Sequence, residues 1–137
     1  MTAPTGFSDD QRLHLELLSS VIGRMSGASS TIKSWTVPVV TAAYGFSLTG
    51  SQAEAAAWLG LMAVVLFGVL DTYYLDLERG YIRRFKQAVS GDLELFDMSP
   101  DRPDRGLFRF ETLRSWAIWP FYGTLVGVGV LILVVLP

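Results

Sequence analysis

The chain has 137 residues, half of them hydrophobic and only 18% charged, with a formal net charge of −2. That length holds one domain at most, and the absence of cysteine excludes disulfides, thiolate metal sites and cysteine nucleophiles. The charges are gathered in two blocks instead of being spread along amphipathic elements, which is not the patterning of a soluble core.

In chain order, Ser8-Asp9-Asp10-Gln11 reads as a helix start. Ser8 can cap, Gln11 can reach back to complete the box, and the two acids sit in the positive first turn. Leu15, Leu18, Val21, Ile22 and Met25 then recur at helical spacing. Residues 8–33 are therefore expected to form a cytoplasmic amphipathic helix on a membrane or against a partner helix. Gly27-Ala28-Ser29-Ser30 reads as a small-residue break or flexible segment, and Lys33 and Trp35 as an interface pair, cation outside and indole at headgroup depth. A first apolar stretch follows over residues 34–50. It is short and carries hydroxyls, so it is expected to need neighbours.

The turn at 50–54 is too short for anything but an antiparallel helical hairpin. Residues 54–75 form a second apolar stretch, and residues 115–136 a third. Runs near 20 residues at ~1.5 Å per residue cross a hydrocarbon core of ~30 Å. The second span is expected to continue as a cytoplasmic helix through Ala88, with Asp76, Arg79, Arg83 and Lys86 on one solvated face and Leu77, Tyr81 and Phe85 on another. Beyond Gly91 the pattern collapses into a polar loop with Pro100 and Pro103, incompatible with helix. Residues 107–113 read as a short lead-in, so that 76–114 make a cytoplasmic helix and loop.

Basic residues set the orientation. Arg12, Arg24 and Lys33 precede the first span; Arg79, Arg83, Arg84, Lys86, Arg102, Arg105, Arg109 and Arg114 lie between the second and third. The two opposite-side segments hold none, so the positive-inside rule places the N-terminus and the long loop in the cytoplasm and the C-terminus outside. The opening residues do not read as a secretory signal, because Asp9, Asp10 and Glu16 interrupt any apolar run. The expected fold class is an all-α membrane protein: an amphipathic helix, then three transmembrane helices, assembled as a symmetric oligomer.

Several constellations invite functional readings. Ser34, Pro38, Thr41, Gly45 and Thr49 recur at steps of four, three, four and four, making one small, polar stripe that suits helix packing or a water-filled path. Asp71 falls about a turn inside the cytoplasmic end of the second span, on the face of Gly60 and Val64, and Glu78 continues that face. A carboxylate at such depth costs a few kcal/mol unless paired or wet. It is expected either to pair with Arg or Lys of the N-terminal helix or a neighbouring subunit, or to line a cation path. Arg79, Arg83, Arg84 and Lys86 suit anionic headgroups, or a phosphate-bearing ligand such as a nucleotide or oligonucleotide signal. Gly123 and Gly127 form a GxxxG that permits close helix contact. The one histidine, His14, reads as a helix-surface residue, and no metal-spaced set or catalytic triad can be assembled. Neither an enzyme nor a cofactor is expected.

Three patterns resemble a group of small bacterial membrane proteins, the RipA-like octameric membrane proteins. They are Arg24-Met25-x-x-x-Ser29-x-x-x-Lys33-x-Trp35, Leu70-Asp71-x-Tyr73-Tyr74-Leu75-x-x-Glu78-Arg79, and Trp119-Pro120-Phe121-Tyr122, in that order over about residues 15–125. More loosely, the arrangement is similar to SLATT-type anti-phage effectors, from which the third span departs. The first resemblance implies a homo-oligomer in the bacterial inner membrane. The second implies a channel or pore-type effector switched by a nucleotide signal. The competing expectation is a non-conducting scaffold that recruits a cytoplasmic partner protein.

Overall fold

The computed structural model describes residues 6–49, 51–91, 94, 96–100 and 118–135. They form three helices and no strand: α1 (Asp9–Thr49), α2 (Ala53–Ser90) and α3 (Trp119–Val135). The α1 N-terminus is the expected box. The Ser8 amide donates to Gln11 Oε1 at 2.9 Å and the Gln11 amide to Ser8 Oγ at 3.2 Å. α2 stops at Gly91, whose φ of 81° supplies the left-handed turn and brings its amide to the Ala88 carbonyl. Pro120 falls in the first turn of α3, where its missing N–H costs no hydrogen bond.

α1 runs as one helix of 41 residues where the sequence suggested an amphipathic helix, a break and a separate span. Tertiary contacts explain the difference. Ser29, inside the expected break, is buried against α2, and Thr31 and Ser34 donate to the Gly27 and Ser30 carbonyls at 2.9 and 3.0 Å. Pro38 forfeits the bond to the Ser34 carbonyl. The helix nevertheless continues past it, with Thr36 and Val40 fully buried on either side.

α1 and α2 lie antiparallel, with Lys33 opposite Asp71 and Tyr44 opposite Gly60. At ~1.5 Å per residue each is about 60 Å long, roughly twice a hydrocarbon core. α3 packs mainly on α2 and also touches α1. The core along this half is Val40, Tyr44, Val64, Ile118 and Tyr122. The Tyr44 hydroxyl crosses to the Leu125 carbonyl at 2.9 Å, joining α1 to α3.

Among the described residues only α2 is long and apolar enough to cross a membrane. Of the three spans expected, this supports the second. The C-terminal half of α1 carries Ser34, Thr36, Thr41, Ser47 and Thr49 among its apolar residues, and α3 has 17 residues here. The proposed start of the third span at 115, the lead-in at 107–113, and Arg102, Arg105, Arg109 and Arg114 lie outside the described residues. Even so, large apolar side chains crowd the outside of one half of the molecule: Trp35, Phe46, Trp58, Leu59, Met62, Leu66, Trp119 and Val134 are all exposed. A continuous apolar exterior of this kind marks a lipid or protein contact.

Candidate functional site: a buried polar cluster between the helices

Six polar side chains from all three helices meet near the middle of the hairpin. Asp71 of α2 is fully buried and forms an ion pair with Lys33 of α1. The Ser29 hydroxyl donates to the other Asp71 oxygen, and Lys33 Nζ also reaches Ser29 Oγ at 3.1 Å. Thr36 and Thr72, both fully buried, donate to the Ile32 and Gly68 carbonyls of their own helices, each at 2.7 Å. From α3 the Tyr122 hydroxyl donates to the Phe67 carbonyl at 3.3 Å, with the Thr36 and Asp71 side chains beside it. No buried side-chain nitrogen or oxygen among the described residues lacks a partner. The cluster therefore meets the requirement that buried ionic groups be paired and fully bonded. Lys33 is 28% exposed, so its ammonium retains one side toward the surface while Asp71 has none.

Glu78 does not belong to this cluster: it is half-buried, a correction to the expectation of a second buried acid. The stripe of Ser34, Pro38, Thr41, Gly45 and Thr49 is exposed along its whole length, facing away from α2 and α3. The buried stripe of α1 is the adjacent one, Ser29, Lys33, Thr36, Val40, Tyr44 and Ser47, at steps of four, three, four, four and three. That spacing was equally visible in the sequence; only the partner carboxylate singles it out. Likewise Gly123 and Gly127 face open space, whereas Gly60 and Gly129 are the glycines packed tightly.

A second cluster closes the far end of the hairpin. His14 is 2% exposed, not on the helix surface as expected. Its ring lies 5.9 Å from that of Phe96, and its Nε2 is 3.3 Å from the Asp97 carbonyl. Arg84 of α2 holds the same segment, donating to the Ser99 carbonyl at 3.1 Å and standing 3.6 Å from the Asp97 carboxylate. Phe96 takes a φ of 66°, the left-handed region that bulky residues rarely adopt, so tertiary contacts fix it. Nothing in the sequence placed this loop on His14, because the loop follows no helical period. Arg79 and Arg83 are half-buried and Lys86 exposed along the same stretch of α2.

The Ser99 hydroxyl and amide hold the Asp97 carboxyl below its ordinary value of 3.8, outweighing an opposing burial effect, with lesser help from the nearby Arg84 and His14 charges. A carboxyl with a lowered folded-state pKa adds stability above its unfolded value and loses it as pH falls through the folded one. The Ser99 amide resonance in NMR is therefore expected to titrate with a midpoint below 3.8. Asp97→Asn should shift it at every pH. A midpoint above 3.8 would contradict the lowered value.

No protein-family model matches the chain, and no curated protein or solved structure matches it either. Among the described residues no group of three His, Cys, Asp or Glu side chains is placed to hold a metal ion.

Proposed function

We propose that the protein is a homo-oligomeric subunit of a bacterial inner membrane that opens an ion path gated from the cytoplasm. One observation carries this reading. The polar stripe Ser34, Pro38, Thr41, Gly45 and Thr49 faces outward on an otherwise apolar exterior, away from both helices of its own chain. Small residues and hydroxyls in that position suit contact with another copy or with water in a shared path. The antiparallel hairpin also gathers Arg12, Arg24, Lys33, Arg79, Arg83, Arg84 and Lys86 toward one end, in keeping with a cytoplasmic half. The resemblances to RipA-like and SLATT-type proteins support the oligomer and a signal-gated effector role, with a nucleotide-type signal as the candidate trigger.

Asp71 takes no part in the path on this reading. Its closure by Lys33 and Ser29 removes it as a pore carboxylate and makes it an internal brace. The same closure favours the second reading, a non-conducting scaffold whose cytoplasmic half recruits a partner protein. Ser34 and Thr49 also bond back to the Ser30 and Gly45 carbonyls, which lets them face lipid.

Ion flux from liposomes containing the purified full chain separates the two. Conduction predicts leak from wild-type vesicles, with or without added nucleotide, and loss of most of it in Thr41→Leu and Gly45→Leu. Neither substitution touches the buried face, and a Cβ at Gly45 meets nothing within 4 Å. Vesicles that stay sealed under every condition would overturn conduction in favour of the scaffold.

A further inference from the structure

The segment 96–99 touches both helices at the open end of the hairpin, and its two attachments are unequal. On the α2 side it is held by several bonds. Arg84 donates to the Ser99 carbonyl at 3.1 Å and to the Ser99 hydroxyl at 3.4 Å, and stands 3.6 Å from the Asp97 carboxylate. That carboxylate also accepts the Ser99 hydroxyl at 2.6 Å and the Ser99 amide at 3.0 Å, which stiffens the segment from within. Toward α1 it offers the Phe96 ring and the Asp97 carbonyl, and both fall on His14. The carbonyl contact is long, at 3.3 Å, and the Phe96 ring is itself 49% exposed. These two contacts are made with Phe96 at a φ of 66°. An L-residue there brings its Cβ against the following carbonyl, and phenylalanine has no short polar side chain to offset the cost.

The arm that the segment grips is lightly held elsewhere. Of the described residues between Asp9 and Ala28, α1 buries only His14 and Leu18, and the core of Val40, Tyr44, Val64, Ile118 and Tyr122 lies wholly in the other half. Few buried apolar contacts mark a region that opens at low cost. We propose that residues 96–99 are a strained clasp, a two-state device that keeps the N-terminal arm of α1 closed on α2. The clasp belongs to α2 through Arg84 and closes by laying Phe96 and the Asp97 carbonyl on His14. Strain at Phe96 favours release and the ring contact favours closure, so the two states lie close in free energy. On release the clasp stays with α2, Phe96 relaxes out of the left-handed region, and the arm moves away with His14 uncovered. The device stands whether or not the assembly conducts ions.

The chain has no cysteine, so spin labels can be placed on introduced ones without background. Glu16→Cys with Val89→Cys reports the gap between the arm and α2 from two exposed positions. Thr31→Cys with Leu70→Cys, also exposed, reports the hairpin near the Lys33–Asp71 pair. Distances are read by pulsed electron spin resonance on the full-length protein in nanodiscs. The otherwise unaltered chain is expected to give mainly one short arm distance. Phe96→Ala removes the ring and keeps the strain, so it should add a longer distance. Phe96→Gly removes both, and its open-to-closed ratio should fall roughly tenfold below that of Phe96→Ala. Arg84→Gln frees the segment from α2 without touching His14 and should open the arm as well. The Thr31–Leu70 distance should hold in all of them. A short arm distance in both Phe96→Ala and Arg84→Gln, equal open fractions in the alanine and glycine variants, or lengthening of both label pairs together would each overturn the clasp.

Discussion

Lys33→Met is expected to destabilise the protein by about 3–5 kcal/mol, because it leaves a buried carboxylate with no cation. Asp71 has no exposed surface, and only the Ser29 and Tyr122 hydroxyls remain beside it. The converse change, Asp71→Leu, should cost less. Lys33 is already 28% exposed and can extend its ammonium toward the surface once its partner is gone. The double variant Lys33→Met/Asp71→Leu should recover most of the loss, since apolar replacement of a buried pair is often neutral or better. Denaturant unfolding in micelles gives the three values, and the double-mutant cycle isolates the coupling between them. Equal and negligible costs for both single variants would show that the carboxylate is wet and the cluster open.

The second large effect concerns two glycines that local motif reading passes over. A Cβ on Gly60 would meet Tyr44 Cδ1 at 2.7 Å and Ala43 Cβ at 3.3 Å. One on Gly129 would meet Leu61 Cγ at 2.9 Å beside the Tyr44 hydroxyl. Tyr44 is itself pinned to the Leu125 carbonyl, so it has little room to yield. Gly60→Ala and Gly129→Ala are each expected to cost about 1–3 kcal/mol by overpacking. Gly123→Ala and Gly127→Ala, with nothing in their way, should gain about 0.5–1 kcal/mol from helix propensity. Thermal unfolding of the four variants gives the order. Destabilisation by the Gly123 and Gly127 changes instead would place a neighbouring helix on that face.

These two sets of residues show what the sequence could reveal. The helix start at Ser8 and Gln11, the Leu15–Leu18–Ile22 stripe and the cost of leaving Asp71 unpaired follow from local chemistry, and all were legible. Two stripes on α1 were equally regular, however. Choosing between Ser29–Lys33–Thr36 and Ser34–Pro38–Thr41 depends on where α2 puts its carboxylate, which is a tertiary fact. The GxxxG pattern could not assign packing within the chain for the same reason: glycine spacing marks where a backbone can come close, not which neighbour does. His14 could not be placed, because it is covered by Phe96 and Asp97 of an aperiodic segment more than 80 positions away. Continuity of α1 across Gly27–Ser30 was hidden because small residues argue locally for a break, while burial of Ser29 against α2 holds the helix together.

That continuity makes α1 a lever. A hinge near residue 30 would have let the N-terminal part swing while the C-terminal half stood still; a single rod does not. Displacement at the His14 end must reappear beyond Lys33 as an opposite tilt, with the Lys33–Asp71 pair near the fulcrum. A push of a few ångströms at His14 then moves Thr49 by a comparable distance and Thr41 by about half as much, and no segment between them has to unfold.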